Sequence, residues 1–167
     1  MARALAFLIS LMLLSPAEAQ SSRISGAEIV KAGYMKAVVK PKVDKRASIS
    51  TGQMVNYDED PKVYDETTRI AVTGPTIFGA EVRLRGRPEG RSADLTVVWL
   101  YPEPGIISPQ TNKPRFKDSY SASIKIGDVS SFYWTLDPGY AKVPGTWTLE
   151  LWDGERRLVK QEFTMLP

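Results

Sequence analysis

FGAEVRLRGR, residues 78–87, is the stretch on which the fold turns. Phe78, Ala80, Val82 and Leu84 fall on one side of an every-second-residue pattern, and Glu81, Arg83, Arg85 and Arg87 on the other. Successive side chains on a strand point to opposite faces, so this alternation predicts a half-buried β-strand. Its charged side suggests an edge or outer strand with water on one face. Further along, residues 94–101 put Leu95, Val97, Trp99 and Tyr101 on one face, with Val98 and Leu100 apolar on the other. That is the pattern of a more central strand. The GRPEG segment between them, residues 86–90, supplies a compact turn of glycine and proline.

The same rhythm runs through the rest of the chain. Candidate strands fall at 27–38, 46–56, 67–73, 77–86, 92–101, 118–126, 130–136, 145–152 and 157–166. Turn residues separate them, twelve prolines are spread along the chain, and no window sustains a helical period. The expectation is an all-β chain, an immunoglobulin-like antiparallel β sandwich of about seven to nine strands. Nothing divides it, so residues 20–167 read as a single domain with 20–26 as a flexible leader.

The C-terminal hairpin poses a question of register. GTWTLELW, residues 145–152, meets residues 155–166 across Asp153-Gly154, a strong hairpin signal. A two-residue turn there would pair Trp152 with Glu155 and set Val159 and Phe163 on the face of Thr148 and Glu150. One extra loop or bulge residue instead gathers Trp147, Leu149 and Leu151 with Val159, Phe163 and Met165. A one-residue slip decides which side chains are buried, so a longer loop is expected. Trp99, Trp147 and Phe163 are assigned to the core.

Several of these segments carry a resemblance. Residues 73–79 (TGPTIFG) leading into 82–90 (VRLRGRPEG), then Tyr101-Pro102, then Pro144, Gly145 and Trp147, and a final Phe163 resemble an uncharacterised family of bacterial exported domains. That family is a DUF3859-like domain of unknown function, and the likeness spans about residues 25–166. Its motifs are turn glycines and core aromatics. The resemblance implies an extracytoplasmic β sandwich and carries no catalytic residue.

The N-terminus points to export. Arg3 gives a basic start, residues 4–14 are apolar except for Ser10, and Ser15-Pro16 breaks the run before Ala17 and Ala19. This is the order of a secretory signal peptide over residues 1–19, and it falls short of the ~20 apolar residues of a spanning helix. The working protein is then expected to begin at Gln20 and to reside in the periplasm or outside the cell.

Composition removes whole classes of chemistry. The chain has neither cysteine nor histidine. Disulfides, thiol nucleophiles, a lipid-anchoring cysteine, imidazole metal sites and the Ser-His-Asp triad are all ruled out. A net charge of +3 is too weak to argue for nucleic acid. No phosphate-binding glycine loop or G-x-S-x-G elbow is present. The reading is a non-enzymatic module without cofactor or metal.

Four features remain as candidate sites. Asn56, Asp58 and Asp60 open like a calcium loop, but Pro61 stands where glycine is wanted and Thr67 where glutamate is, so a solvated acidic turn is expected. Arg83, Arg85 and Arg87, with Arg91 nearby, form a basic row that could grip an anion through guanidinium forks, or simply face solvent. Phe132, Tyr133 and Trp134 alternate, with Trp152 and Tyr140 elsewhere; they offer either an aromatic shelf for sugars or the rim of a core. Residues 102–117 hold four prolines, an apolar pair at Ile106 and Ile107, and Lys113, Arg115 and Lys117. So long a stretch without strand pattern suggests a partner-binding loop. The leading expectation is an envelope protein partner, with a glycan or small anionic ligand as the alternative.

Overall fold

The protein is described by a computed structural model covering residues 23–46, 48–71, 73–136 and 143–167. The expected signal peptide, residues 20–22 and Tyr140 lie outside the described residues. The strands are β1 (Arg23–Lys36), β2 (Lys42–Lys45), β3 (Gln53–Asn56), β4 (Lys62–Glu66), β5 (Arg69–Ala71), β6 (Thr76–Arg87) and β7 (Ser92–Leu100). They continue with β8 (Ile106–Ile107), β9 (Pro114–Arg115), β10 (Lys117–Lys125), β11 (Val129–Leu136), β12 (Gly145–Asp153) and β13 (Arg156–Leu166). One sheet runs β11-β6-β1-β4 and the other β10-β7-β12-β13-β5. The pairs β2-β3 and β8-β9 stand apart as two-stranded ladders.

The core lies between the two larger sheets. Phe78 of β6 crosses the gap and meets Trp99, Trp147 and Phe163 edge to face, with ring centroids 5.6, 5.9 and 5.2 Å apart. These four rings are completely buried. Trp134 extends the cluster against Trp147 at 5.7 Å and Tyr101 at 5.3 Å. Edge-to-face contact sets the positive rim of one ring on the negative face of the next, which adds to the gain from burying large apolar area.

β6 is not an edge strand. It pairs with β1 on one side and β11 on the other, in the interior of its sheet. Its arginines report solvent on a face, which says nothing about an edge: Glu28 of β1 sits opposite Arg83 and pairs with both Arg83 and Arg85, while Glu81 is buried and accepts from the Val63 amide. β7, between β10 and β12, is central as expected. Gly79 lets β11 lie against β6, because a β carbon there would overlap the Phe132 carbonyl oxygen.

Boundaries moved in four places. β1 starts at Arg23, so residues 23–26 belong to a strand. Residues 48–52, expected to be extended, form a turn in which Ile49 N–H donates to Arg46 O and Gly52 N–H to Ile49 O. β4 occupies the acidic segment that read as loop, because pairing with β1 outweighs its polar composition. The C-terminal hairpin has its expected apolar face, with Trp147, Leu149, Leu151, Val159, Phe163 and Met165 all buried. It does so without a longer loop. The turn shifts one residue along, pairing Asp153 with Arg156, and a bulge restores register so that Leu151 meets Val159. Gly154, at φ +57°, takes the left-handed corner.

Candidate functional site

The turn at residues 48–52 is fastened to the sandwich by a buried carboxylate. Asp118, at the start of β10, is 1% exposed. It accepts from Ser50 N–H at 2.9 and 2.8 Å, from Ser50 Oγ at 2.7 Å and from Tyr101 Oη at 2.9 Å. Arg115 lies 3.4 Å from it and also donates to the Ser48 carbonyl at 2.7 Å. A carboxylate can be buried when several donors converge on it, and here they tie three distant segments together. Burial, followed by the adjacent Asp118 charge, pushes the Tyr101 hydroxyl well above its ordinary range.

This fastening holds β3 beside the open side of the sandwich and creates a cleft of about 190 Å³. The cleft is lined by all four residues of β3, by five consecutive residues of β11 (131–135), and by Ile49, Tyr120 and Ala122. Consecutive strand residues point alternately to opposite faces. A cavity that touches five in a row therefore runs along the strand's edge. Among the described residues β3 pairs only with β2, and β11 only with β6. The cleft is thus a slot between two unpaired strand edges.

Its walls are apolar with isolated polar atoms. Ser131 and Trp134 are 9% and 8% exposed. Ser131 Oγ, Trp134 Nε1 and Thr135 Oγ1 are buried without a hydrogen-bond partner among the described residues. Tyr133, edge-on to Tyr57 at 5.5 Å, stands beside them. Burial, with Asp60 adding, pushes its hydroxyl up to about 12. Burial likewise raises Tyr120.

Of the residues singled out in sequence, Asn56, Asp60, Phe132, Tyr133 and Trp134 line this slot, while the arginine row and the 102–117 segment do not. Arg83 and Arg85 lie on the outer face of the other flank, where Arg85 first, and Arg83 with it, hold the Glu28 carboxyl below its ordinary value. Arg87 is exposed opposite Arg23. In the 102–117 segment Ile106 is fully buried, which corrects its placement at an apolar tip; Ile107 alone of the pair is exposed. β8 and β9 fold the segment back on itself, and Arg115 is committed to Ser48 and Asp118. Lys113 and Lys117 are exposed. Phe132 and Trp134 belong to the core, so they form no sugar-stacking shelf. Trp152 is half-buried, donating to Glu150 at 2.9 Å beneath the Arg157 guanidinium.

Asn56 donates to Asp44, and Asp58 pairs with Lys42 across the β2-β3 ladder. Among the described residues, no group of three His, Cys, Asp or Glu side chains could hold a metal ion. No helix among them is long and apolar enough to cross a membrane.

Only the solved structures give a likeness. The chain is similar to an immunoglobulin-like protein from Pseudomonas aeruginosa, with a TM-score of 0.53 and 21% identity over 87% of this chain and 97% of that one. The fold is an immunoglobulin-like β sandwich. No family model matches the chain, and no curated protein does. The chain is an all-β module of this fold.

Proposed function

We propose that the protein is an exported envelope module, akin to the domains of unknown function it resembles, that binds another protein by taking an extended segment along the slot between β3 and β11. The observation that carries this reading is the pair of unpaired strand edges facing one cleft. An incoming extended chain gains main-chain hydrogen bonds at such an edge, and side-chain pockets supply selectivity. The small volume suits a side chain better than a whole small-molecule ligand, since such pockets run from about 300 Å³. Export is supported by the order of residues 1–19, with cleavage after Ala19 into the periplasm or beyond. The intact mass of the exported protein checks that point, and a species retaining residues 1–19 contradicts it.

The binding reading is tested in cells by placing a photocrosslinking residue at position 133, in the slot, at 107, on the 102–117 loop, and at 160, on β13. Adducts with an envelope protein at 133 and none at 160 are expected. Adducts at 107 alone would move the contact to the loop. A glycan array that lights up with the purified protein, with no protein adduct at 133, would replace protein binding by glycan binding.

A further inference from the structure

We propose that the outward face of the β10-β7-β12-β13 sheet carries a second site, a cleft that holds a neutral pyranose ring against Trp152. It is independent of the slot, with which it shares no lining residue. The cleft has a volume of about 380 Å³, within the range of small-ligand pockets. Its floor is Thr96, Val98 and Leu100 of β7, with Glu150 and Trp152 of β12 along one side. Lys117 stands at one end and the hairpin turn at Glu155 at the other.

Strand register puts these side chains on one face. Thr96 is opposite Trp152 and Val98 opposite Glu150 across the β7-β12 ladder, and Lys117 is opposite Leu100 across the β10-β7 ladder. Cross-strand partners point to the same side of a sheet, as do residues two apart on a strand. The alternate residues Val97, Trp99, Leu149 and Leu151 fill the core on the other side. From Thr96 to Leu100 the floor runs about 13 Å at the ordinary strand rise.

Glu150 and Trp152 form the recognition corner. The Trp152 indole N–H donates to one Glu150 carboxylate oxygen at 2.9 Å, and Arg157 donates to the other at 2.8 Å. Arg157 is opposite Trp152 on β13, with its guanidinium 5.7 Å from the ring centre. No residue of β13 lines the cleft. Arg157 therefore covers the indole from the β13 side, and the cleft opens on the β7 side. The carboxylate is held in one orientation, and each oxygen keeps a lone pair for a further donor.

The chemistry of this corner selects the occupant. The indole, Val98 and Leu100 call for an apolar surface, and a carboxylate only accepts, so the occupant must also bring donors. Glu150 and Glu155 are balanced by Arg157 and Lys117, so a charge of either sign on the occupant meets a like charge. A pyranose with equatorial hydroxyls is neutral and offers both parts. Its C–H groups meet the negative face of the indole, and its rim hydroxyls donate to Glu150 and accept from Lys117. A peptide gains less here, because β7 and β12 are paired on both sides and offer no free main-chain edge.

The test titrates the exported protein with methyl β-glucoside and cellopentaose, and with methyl β-glucuronide, glucosamine and a neutral pentapeptide as controls. Calorimetry gives affinities, and the indole N–H resonances show which tryptophan responds. Both neutral sugars are expected to shift the Trp152 resonance and leave that of buried Trp99 in place. Trp152→Ala and Glu150→Gln should each weaken binding at least about tenfold while the core methyl spectrum persists. Thr96→Arg, at an exposed position, fills the cleft and should abolish binding, which serves where either variant fails to fold. Cellopentaose binding tenfold tighter than the glucoside assigns the site to a polymer, and equal affinities assign it to a free sugar. No shift with either sugar overturns the proposal, as does binding that survives Trp152→Ala or Thr96→Arg. Tighter binding of the glucuronide, glucosamine or pentapeptide overturns it in favour of that ligand. Adducts at position 133 without sugar binding remove this site alone, and sugar binding without adducts removes the slot reading alone.

Discussion

Trp147 and Asp118 show how differently two buried residues are announced. Trp147 sits on an alternating strand, faces Phe163 across the β12-β13 ladder and donates its indole N–H to the Val143 carbonyl at 2.9 Å. Its burial was legible in sequence because period two and large apolar side chains point the same way. Trp147→Ala should cost about 3–5 kcal/mol, as aromatic truncations in packed cores do. Urea unfolding followed by fluorescence measures it, and an unchanged midpoint would mean the ring is not in the core. Asp118 is as deeply buried but stands among Lys117, Ser119 and Tyr120, where nothing marks it from a solvent-facing acid. Its partners Ser50 and Tyr101 lie 68 and 17 residues away, a convergence that no local pattern encodes. Asp118→Ala would strand the Ser50 amide and the Tyr101 hydroxyl at about 1–3 kcal/mol each. Hydrogen exchange at the Ser50 amide should quicken before the sheets open.

The strands show where pattern succeeds and where it fails. β6, β7, β10, β11, β12 and β13 lie within a few residues of their expected places, because each presents one apolar face to the same core. β2 and β4 were hidden, and of the expected strand at 46–56 only β3 forms. Their residues are largely polar, and β4 is fixed by pairing with β1 rather than by any apolar side of its own. The slot was unreadable for the same reason, since β3 forms one wall and its position depends on Asp118. The register of the last hairpin rests on one unpaired residue. Deleting Leu158 removes the bulge and leaves Arg157 opposite Trp152 and Val159 opposite Leu151, so Val159, Phe163 and Met165 keep the buried face. Such a variant is expected to keep its near-ultraviolet circular dichroism, and loss of that signal would contradict the register. The 102–117 segment permits a sharper comparison. Ile106→Ser should cost about 2–5 kcal/mol, on the scale of truncating a buried isoleucine. Ile107→Ser, at a side chain that is half exposed, should leave the melting temperature nearly unchanged. Equal effects would refute the inward and outward assignment of the pair.

For the molecule as a whole, alkaline pH is the revealing variable. Tyr101, Tyr120 and Tyr133 all have hydroxyls raised above the ordinary value near 10, Tyr133 to about 12. Unfolded tyrosines ionise first, so the native state holds more protons between pH 10 and 12. Stability from this source is complete below about pH 10 and drains away as pH rises toward 12. Thermal melts from pH 8 to 12 should be flat and then fall, and Tyr133→Phe should fall less steeply. A melting temperature that stays level through pH 12 would show that these hydroxyls ionise freely. The sheet order carries a last consequence, for the order of events in folding. β5 is laid parallel against β13, and both β12 and β13 lie between β7 and β5. Half of one sheet therefore waits for residues made late in the chain. Pairings between distant segments form slowly. In a nascent chain of this topology the second sheet stays incomplete until β12 and β13 are made, and the core face of the first sheet waits for its cover.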